Sequence, residues 1–217
     1  RLARAQLPNA ESLADLRAVR ALLLPAVADP TVPPLLHNLR IVDALVHKAQ
    51  TAGQPLALFA AAEIARDELG ARPLARSLFV TFVDVAPQTP WSAKALLAAL
   101  ALAPDAADAD SLRTRLFSYR SSPYAQALAS GADPEAFAIA EERLQRSLIA
   151  LREEGAQLAI QQDVAVGRVV ATLDSLRIVA RTDSARISCG LMIDTLAILG
   201  TRADSVRVAC MRADTVK

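Results

Sequence analysis

The sequence is poor in glycine, aromatic side chains, cysteine and histidine. Its 217 residues include 7 glycines, 2 cysteines and 2 histidines, and aromatic residues make up 4% of the chain. Such a composition argues against a many-stranded sandwich or barrel. Hydrophobic residues nonetheless reach 53%, so the chain can bury a substantial core and we do not expect disorder for most of it. We therefore expect a mostly α-helical protein.

An excess of one charge and long apolar runs are missing as well. Lys and Arg total 24 against 23 Asp and Glu, and the net charge of +1 gives no overall attraction to nucleic acid or an anionic membrane. No stretch approaches the roughly 20 uncharged apolar residues that a membrane-spanning helix requires. The chain begins at Arg1 without methionine and ends at Lys217 within a repeating pattern, so we expect both ends to be cut from a longer protein.

Motifs for catalysis and metal binding are also absent from the sequence. It contains no GxSxG elbow and no glycine-rich phosphate loop. His37 and His47 have no neighbours that complete a metal-binding pattern. The pairs Glu141-Glu142 and Glu153-Glu154 are predicted to solvate the polar face of a helix. We expect no enzyme activity, no cofactor, no metal site and no small-molecule substrate.

Hydrophobic periodicity predicts a series of helices separated by proline or glycine. The predicted segments are 10–27, 33–50, 55–69, 72–86, 90–103, 108–120 and 133–160. Gly70 is expected to end the third helix in the left-handed conformation. Asp133 is expected to cap the last helix, with Pro134 in its first turn. The segments 55–69 and 72–86 form the clearest helical hairpin.

The second helix of this hairpin has the residue spacing of a known repeat. Four residues fall at offsets 0, 4, 7 and 12: Ala75, Phe79, Phe82 and Pro87. The pattern resembles the tetratricopeptide superfamily, with Phe59 at the tryptophan position and Pro123 at a second terminal proline position. Phe82 departs from it, because a small residue is usual there. The resemblance covers roughly residues 54–130 and implies repeat-packing roles for Phe59, Ala75, Phe79, Phe82, Pro87 and Pro123.

Two proline-containing turns add to this resemblance. Segments 87–96 and 122–125 resemble the turns between repeats in envelope-associated repeat proteins of bacteria, including outer-membrane assembly lipoproteins. Trp91 lies in the first turn, and Tyr119 and Tyr124 flank the second. These three are candidate interface residues, because aromatic side chains are enriched at binding hot spots. The alternative is that they lock neighbouring helices together.

The segment after residue 162 has a different character, with Asp-Ser/Thr-x-Arg quartets that recur about every ten residues. We favour a helical hairpin here, although an alternating β pattern also fits. Cys189 and Cys210 lie nearly equidistant from a turn at 199–201, which predicts a disulfide if the chain reverses there; two buried free thiols are the alternative. The predicted organisation is an N-terminal helical pair (1–53), tetratricopeptide-like repeats (54–162) and a C-terminal extension (163–217).

The resemblance implies a protein-binding role. A single hairpin cannot bury its apolar face, so such hairpins stack antiparallel into a solenoid that commonly serves as a binding surface. We expect a non-catalytic scaffold or adaptor: a membrane-extrinsic subunit, periplasmic or otherwise extracytoplasmic, that stabilises a larger membrane-embedded complex of protein subunits. An envelope assembly machine and a photosynthetic reaction centre with its antenna are the candidate complexes, and nucleic acid is not an expected partner. The alternative is a periplasmic peptide- or protein-binding module.

Overall fold

A computed structural model describes residues 5–128 and 133–179 of the chain. The described part contains eight α-helices and no strand: α1 Leu13–Leu23, α2 Val32–Thr51, α3 Leu56–Asp67, α4 Arg72–Val85, α5 Ser92–Leu100, α6 Ala106–Phe117, α7 Pro123–Leu128 and α8 Pro134–Val179. The helices pack against one another, which confirms the mostly α-helical fold. None of these described helices is both long and apolar enough to cross a membrane.

The chain divides into two compact units, Arg1–Ala159 and Ile160–Lys217. Helices α1 to α7 and the first part of α8 belong to the first unit. In the second unit, the structure describes residues 160–179, which are helical, so the favoured helical interpretation of the C-terminal segment holds as far as Val179. Cys189, Cys210 and the later Asp-Ser/Thr quartets lie outside the described residues.

Local sequence signals determine where several helices begin and end. The Ser12 hydroxyl accepts a hydrogen bond from the Asp15 N–H at 3.2 Å, and the Asp15 carboxylate accepts one from the Ser12 N–H at 2.9 Å, which forms a capping box at α1. Asp133 caps α8 by accepting from the Glu135 N–H at 3.0 Å. Gly70 follows α3 with φ of 65°, as predicted.

Proline determines two further helix ends. Helix α1 ends at Leu23, short of the predicted residue 27, because Leu24–Ala26 form a 3-10 turn around Pro25. Pro87 lies exposed just beyond the end of α4, and Pro123 is the first residue of α7. Both of the predicted terminal prolines therefore lie outside the helix that precedes them.

The α3–α4 hairpin contains a dense aromatic part of the core. Phe59 of α3 packs edge-on against Phe79 and Phe82 of α4, with ring centroids 5.1 and 5.6 Å apart. These three rings and Ala75 are at most 1% exposed. From α1 to α6 each helix contacts the next one along the chain. The Leu74 N–H donates to the Ala10 carbonyl at 3.1 Å, which holds the 3-10 turn Leu7–Asn9 against α4.

Candidate protein-binding site

Helix α8 lies against four of the helices that precede it. Its contacts run in reverse chain order: Phe137 packs on Tyr124 of α7, Glu141 pairs with Lys94 of α5, Arg152 with Glu63 of α3, and Glu154 with Lys48 of α2. From Phe137 to Glu154 these contacts extend over about 26 Å of helix. Leu144, Leu148 and Leu151 are buried between the polar contacts. Helix α8 therefore covers part of α2, α3, α5 and α7.

Glu63 is the most deeply buried carboxylate in this contact. Its side chain is 10% exposed and accepts a hydrogen bond from Arg152 Nη2 at 3.1 Å. Burial raises the pKa of Glu63 above its ordinary value, and the charges of Arg152 and Lys94 oppose this effect only in part. Since Arg152 belongs to α8, Glu63 depends on that helix for its nearest counter-charge.

A second polar cluster joins α5, α7 and α8. Lys94 forms an ion pair with Glu141. The Glu141 carboxylate also accepts a hydrogen bond from Gln145 Nε2 at 3.2 Å. Burial alone would raise the pKa of Glu141, but the hydrogen bonds from Lys94 and Gln145 lower it below its ordinary value. The Lys94 ammonium lies 5.7 Å from the ring centroid of Tyr124, and burial raises the pKa of the Tyr124 hydroxyl. The cluster fastens three helices together with its charges paired.

A groove opens between the N-terminus of α5 and the first turns of α8. Its volume is about 700 Å³, and its lining consists of Pro90, Trp91, Ala136, Ile139, Ala140, Arg143, Arg146 and Ser147. We call it the Trp91 groove. Five of these eight residues are apolar, two are arginines and none is acidic. The surface is therefore apolar with a positive charge on its α8 side.

A short, hydrogen-bonded turn holds Trp91 at the groove. Ser92 is fully buried, its hydroxyl donates to the Ala86 carbonyl at 2.9 Å, and it shares a 2.8 Å hydrogen bond with the Thr89 hydroxyl. The backbone N–H groups of Thr89 and Ser92 bond to the carbonyls of Ala86 and Thr89. Because the turn is fixed by its own polar groups, Trp91 is presented from a well-defined position.

The three predicted interface aromatics lie in different surroundings. Trp91 is half-buried against the core and borders the groove. Tyr119 is half-buried against the core. Tyr124 is 3% exposed and packs on Phe137 with ring centroids 5.4 Å apart. Of these three residues, Trp91 alone lines the groove.

Several residues at these contacts were not expected from the sequence. Glu141 and Glu154 do not merely solvate a polar face, because each pairs with a lysine of another helix. The burial of Glu63 is indicated by the sequence, because Glu63 is the single carboxylate in the otherwise apolar run 56–65. Ile139 and Arg143 carried none, because isolated apolar and basic residues on an exposed helix face are common.

No protein-family model, curated protein or solved structure matches this chain. The resemblance to the tetratricopeptide superfamily therefore stays a prediction. Within residues 5–128 and 133–179, no group of three or more His, Cys, Asp or Glu side chains is placed to hold a metal ion. The function of the site has to be inferred from its own chemistry.

Proposed function

We propose that this protein is a non-catalytic helical scaffold that binds other proteins through the Trp91 groove. The observation that carries this proposal is the composition of the groove: a tryptophan and a partly exposed isoleucine beside two arginines. Trp and Arg are among the residues most enriched at protein-binding hot spots. A catalytic site would instead need converging acid, base or nucleophilic groups, and the eight lining residues offer no such set.

We extend the proposal to the architecture and to the partner. Helices α3 to α6 are proposed as hairpins of a short tetratricopeptide-like solenoid, a view supported by the Phe59 cluster and by the contacts between successive helices. The proposed partner is a subunit of a membrane-embedded complex, bound outside the cytoplasm, for which an envelope assembly machine and a photosynthetic reaction centre with its antenna are candidates. The net charge of +1 favours a protein partner over nucleic acid.

The alternative function, capture of an extended peptide on the first helices of the hairpins, is less well supported. Helix α8 covers part of α3 and α5, which are the helices such a peptide would use. A peptide would have to displace the Arg152–Glu63 and Glu141–Lys94 pairs and expose the leucines between them. Binding at the Trp91 groove requires no such displacement.

Co-purification from native membranes in mild detergent tests the scaffold function. We expect one integral-membrane complex to be recovered in stoichiometric amounts with the wild-type chain, and that complex to dissociate when the chain is removed. Ile139→Glu should abolish recovery, because it places a carboxylate in the apolar part of the groove. Ile149→Glu is the matched control, since Ile149 is 55% exposed on the same helix and does not line the groove. Recovery of a free monomer, or equal loss with both variants, would contradict the proposal.

A further inference from the structure

The charges of the Trp91 groove indicate what kind of partner it takes, an inference that rests on the proposed scaffold function. Arg143 and Arg146 are three residues apart on α8 and share one face of the helix. Arg146 pairs with Glu142 at 2.5 Å in an exposed i,i+4 contact. Among the side chains that the structure describes, no carboxylate forms an ion pair with Arg143. One guanidinium at the groove is therefore available to a partner.

The carboxylates nearest in sequence are already bound. Glu141 pairs with Lys94, and Glu142 pairs with Arg146. The lining itself contains no Asp or Glu, so nothing within it neutralises Arg143. A positive surface without an internal counter-charge attracts an acidic partner and discriminates against a basic one.

The apolar part of the groove adds a second requirement. Ile139 is 43% exposed and Trp91 is half-buried, so both present apolar surface that a partner can cover. A volume of about 700 Å³ lies within the range of pockets that hold sizeable ligands, so the groove has room for a large side chain and its neighbours. Burying apolar area supplies affinity, whereas the arginine supplies selectivity.

We propose that the Trp91 groove binds an acidic protein segment, which places a large apolar side chain against Trp91 and Ile139 and a carboxylate on Arg143. Arginine suits this role because its planar guanidinium can hold a carboxylate through two parallel hydrogen bonds. An anionic lipid offers similar chemistry, but the net charge of +1 gives this chain no overall attraction to an anionic membrane, so we argue for a protein segment.

A pair of synthetic peptides tests the proposal on the full chain. One is an amphipathic helical peptide with leucine on one face and glutamate on the other; its twin has lysine at every glutamate position. Trp91 is the only tryptophan in the chain, so its emission reports directly on the groove. We expect the acidic peptide to shift the Trp91 emission to shorter wavelength and to bind at least about tenfold more tightly than its twin, with an affinity that falls as salt is added.

Substitutions of Arg143 link this preference to the proposed contact. Arg143→Gln should weaken binding of the acidic peptide about fivefold to tenfold, and Arg143→Glu should reverse the preference between the peptides. Arg113→Glu is the matched control, because Arg113 is an exposed arginine of α6 outside the groove. Equal binding of the two peptides, no binding of either, or a preference unchanged by Arg143→Glu would each overturn the proposal. An emission shift with phosphatidylglycerol vesicles but with neither peptide would overturn it in favour of a lipid.

Failure of this inference can be told apart from failure of the scaffold function. If Ile139→Glu releases a stoichiometric partner while the peptides show no charge preference, the groove binds a protein and only the acidic character of the partner is wrong. If no stoichiometric partner co-purifies with the wild-type chain, the scaffold function itself fails, whatever the peptides show.

Discussion

The α3–α4 hairpin and the contact that holds α8 are stabilised in different ways. In the hairpin, Phe59 touches two aromatic rings of the next helix, and all three rings are buried. The α8 contact instead alternates leucines with ion pairs, including Arg152–Glu63 and Glu154–Lys48. The hairpin is thus held by apolar packing between neighbours in sequence, whereas α8 combines buried leucines with ion pairs whose partners come from distant parts of the chain.

This difference predicts how the two regions respond to solution conditions. Apolar burial is insensitive to pH, so the packing of Phe59 on Phe79 and Phe82 should change little with pH. The α8 contact contains a carboxylate with a raised pKa and several lysine or arginine partners, so its strength should change with pH. Helix α8 also forms one wall of the Trp91 groove, and its attachment therefore determines whether the groove exists.

The largest expected effect comes from breaking the hairpin core. Phe79→Ala removes a fully buried ring that contacts Phe59, and a deletion of this kind costs about 3–5 kcal/mol in free energy of unfolding. Urea unfolding followed by circular dichroism measures the loss. Phe117→Ala is the control, because Phe117 is 77% exposed and should change stability by less than about 0.5 kcal/mol. Similar losses for the two variants would show that Phe79 is not part of a packed core.

The hairpin could be predicted from the sequence because its signals are local. Gly70 sets the left-handed residue between the two helices, and the apolar spacing of α4 places Phe79 and Phe82 on its buried face. The same periodicity predicted the helical character of most segments. Helix α8 is the exception at its end, because it continues to Val179 instead of ending near residue 160, and α7 at 123–128 was not predicted. The structure confirms that these segments are helical, whereas their arrangement as a solenoid stays a prediction.

The Trp91 groove and the path of α8 could not be predicted in the same way. Trp91 and Ile139 come from segments almost fifty residues apart, and no periodic pattern connects them. Glu141 and Glu154 have the sequence appearance of solvated glutamates, and only the packing of α8 brings each one to a lysine. Gly155 is an indication of this packing that the sequence does contain, because an isolated glycine within a helix often marks a close approach of another element.

A medium effect is expected from overfilling the α8 contact at Gly155. A Cβ atom at this position would lie 2.9 Å from Leu45 Cδ2 and 3.2 Å from Ile41 Cγ2 of α2. Gly155→Leu should therefore lower the free energy of unfolding by about 1–3 kcal/mol. The rate of amide hydrogen exchange should increase more in α8 than in α3 and α4. Ala150→Leu, at an exposed position of the same helix, is the control and should be nearly neutral.

A double-mutant cycle identifies the cause of the Gly155→Leu effect. Leu45→Ala removes the side chain that the new leucine would strike, so the two substitutions together should cost clearly less than the sum of their separate costs. Strict additivity would mean that α8 does not pack on Leu45, and the described path of the helix would be contradicted.

The smallest of these effects concerns the Arg152–Glu63 pair, and it depends on pH. Arg152→Ala leaves the buried Glu63 carboxylate without its nearest counter-charge, which should lower the free energy of unfolding by about 1–2 kcal/mol near pH 8. The loss is smaller than for a fully buried ion pair because Arg152 is 40% exposed. Near pH 4 the cost should be smaller, because a protonated Glu63 needs no cation. The free energy of unfolding in urea at the two pH values measures the difference.

The sign of this dependence follows from the raised pKa of Glu63. The ordinary pKa of Glu63, which applies to the unfolded chain, is 4.5, and the folded chain keeps the Glu63 proton to a higher pH. Protonation of Glu63 therefore stabilises the folded chain fully below pH 4.5. Its contribution is lost as pH rises from 4.5 through the raised folded pKa. Glu63→Gln should flatten stability over this window, and Arg152→Ala should extend the window upward. Arg146→Ala breaks an exposed pair on the same helix and should cost less than about 0.5 kcal/mol without this dependence. An Arg152→Ala cost that is equal at both pH values would show that Glu63 is not buried against α8.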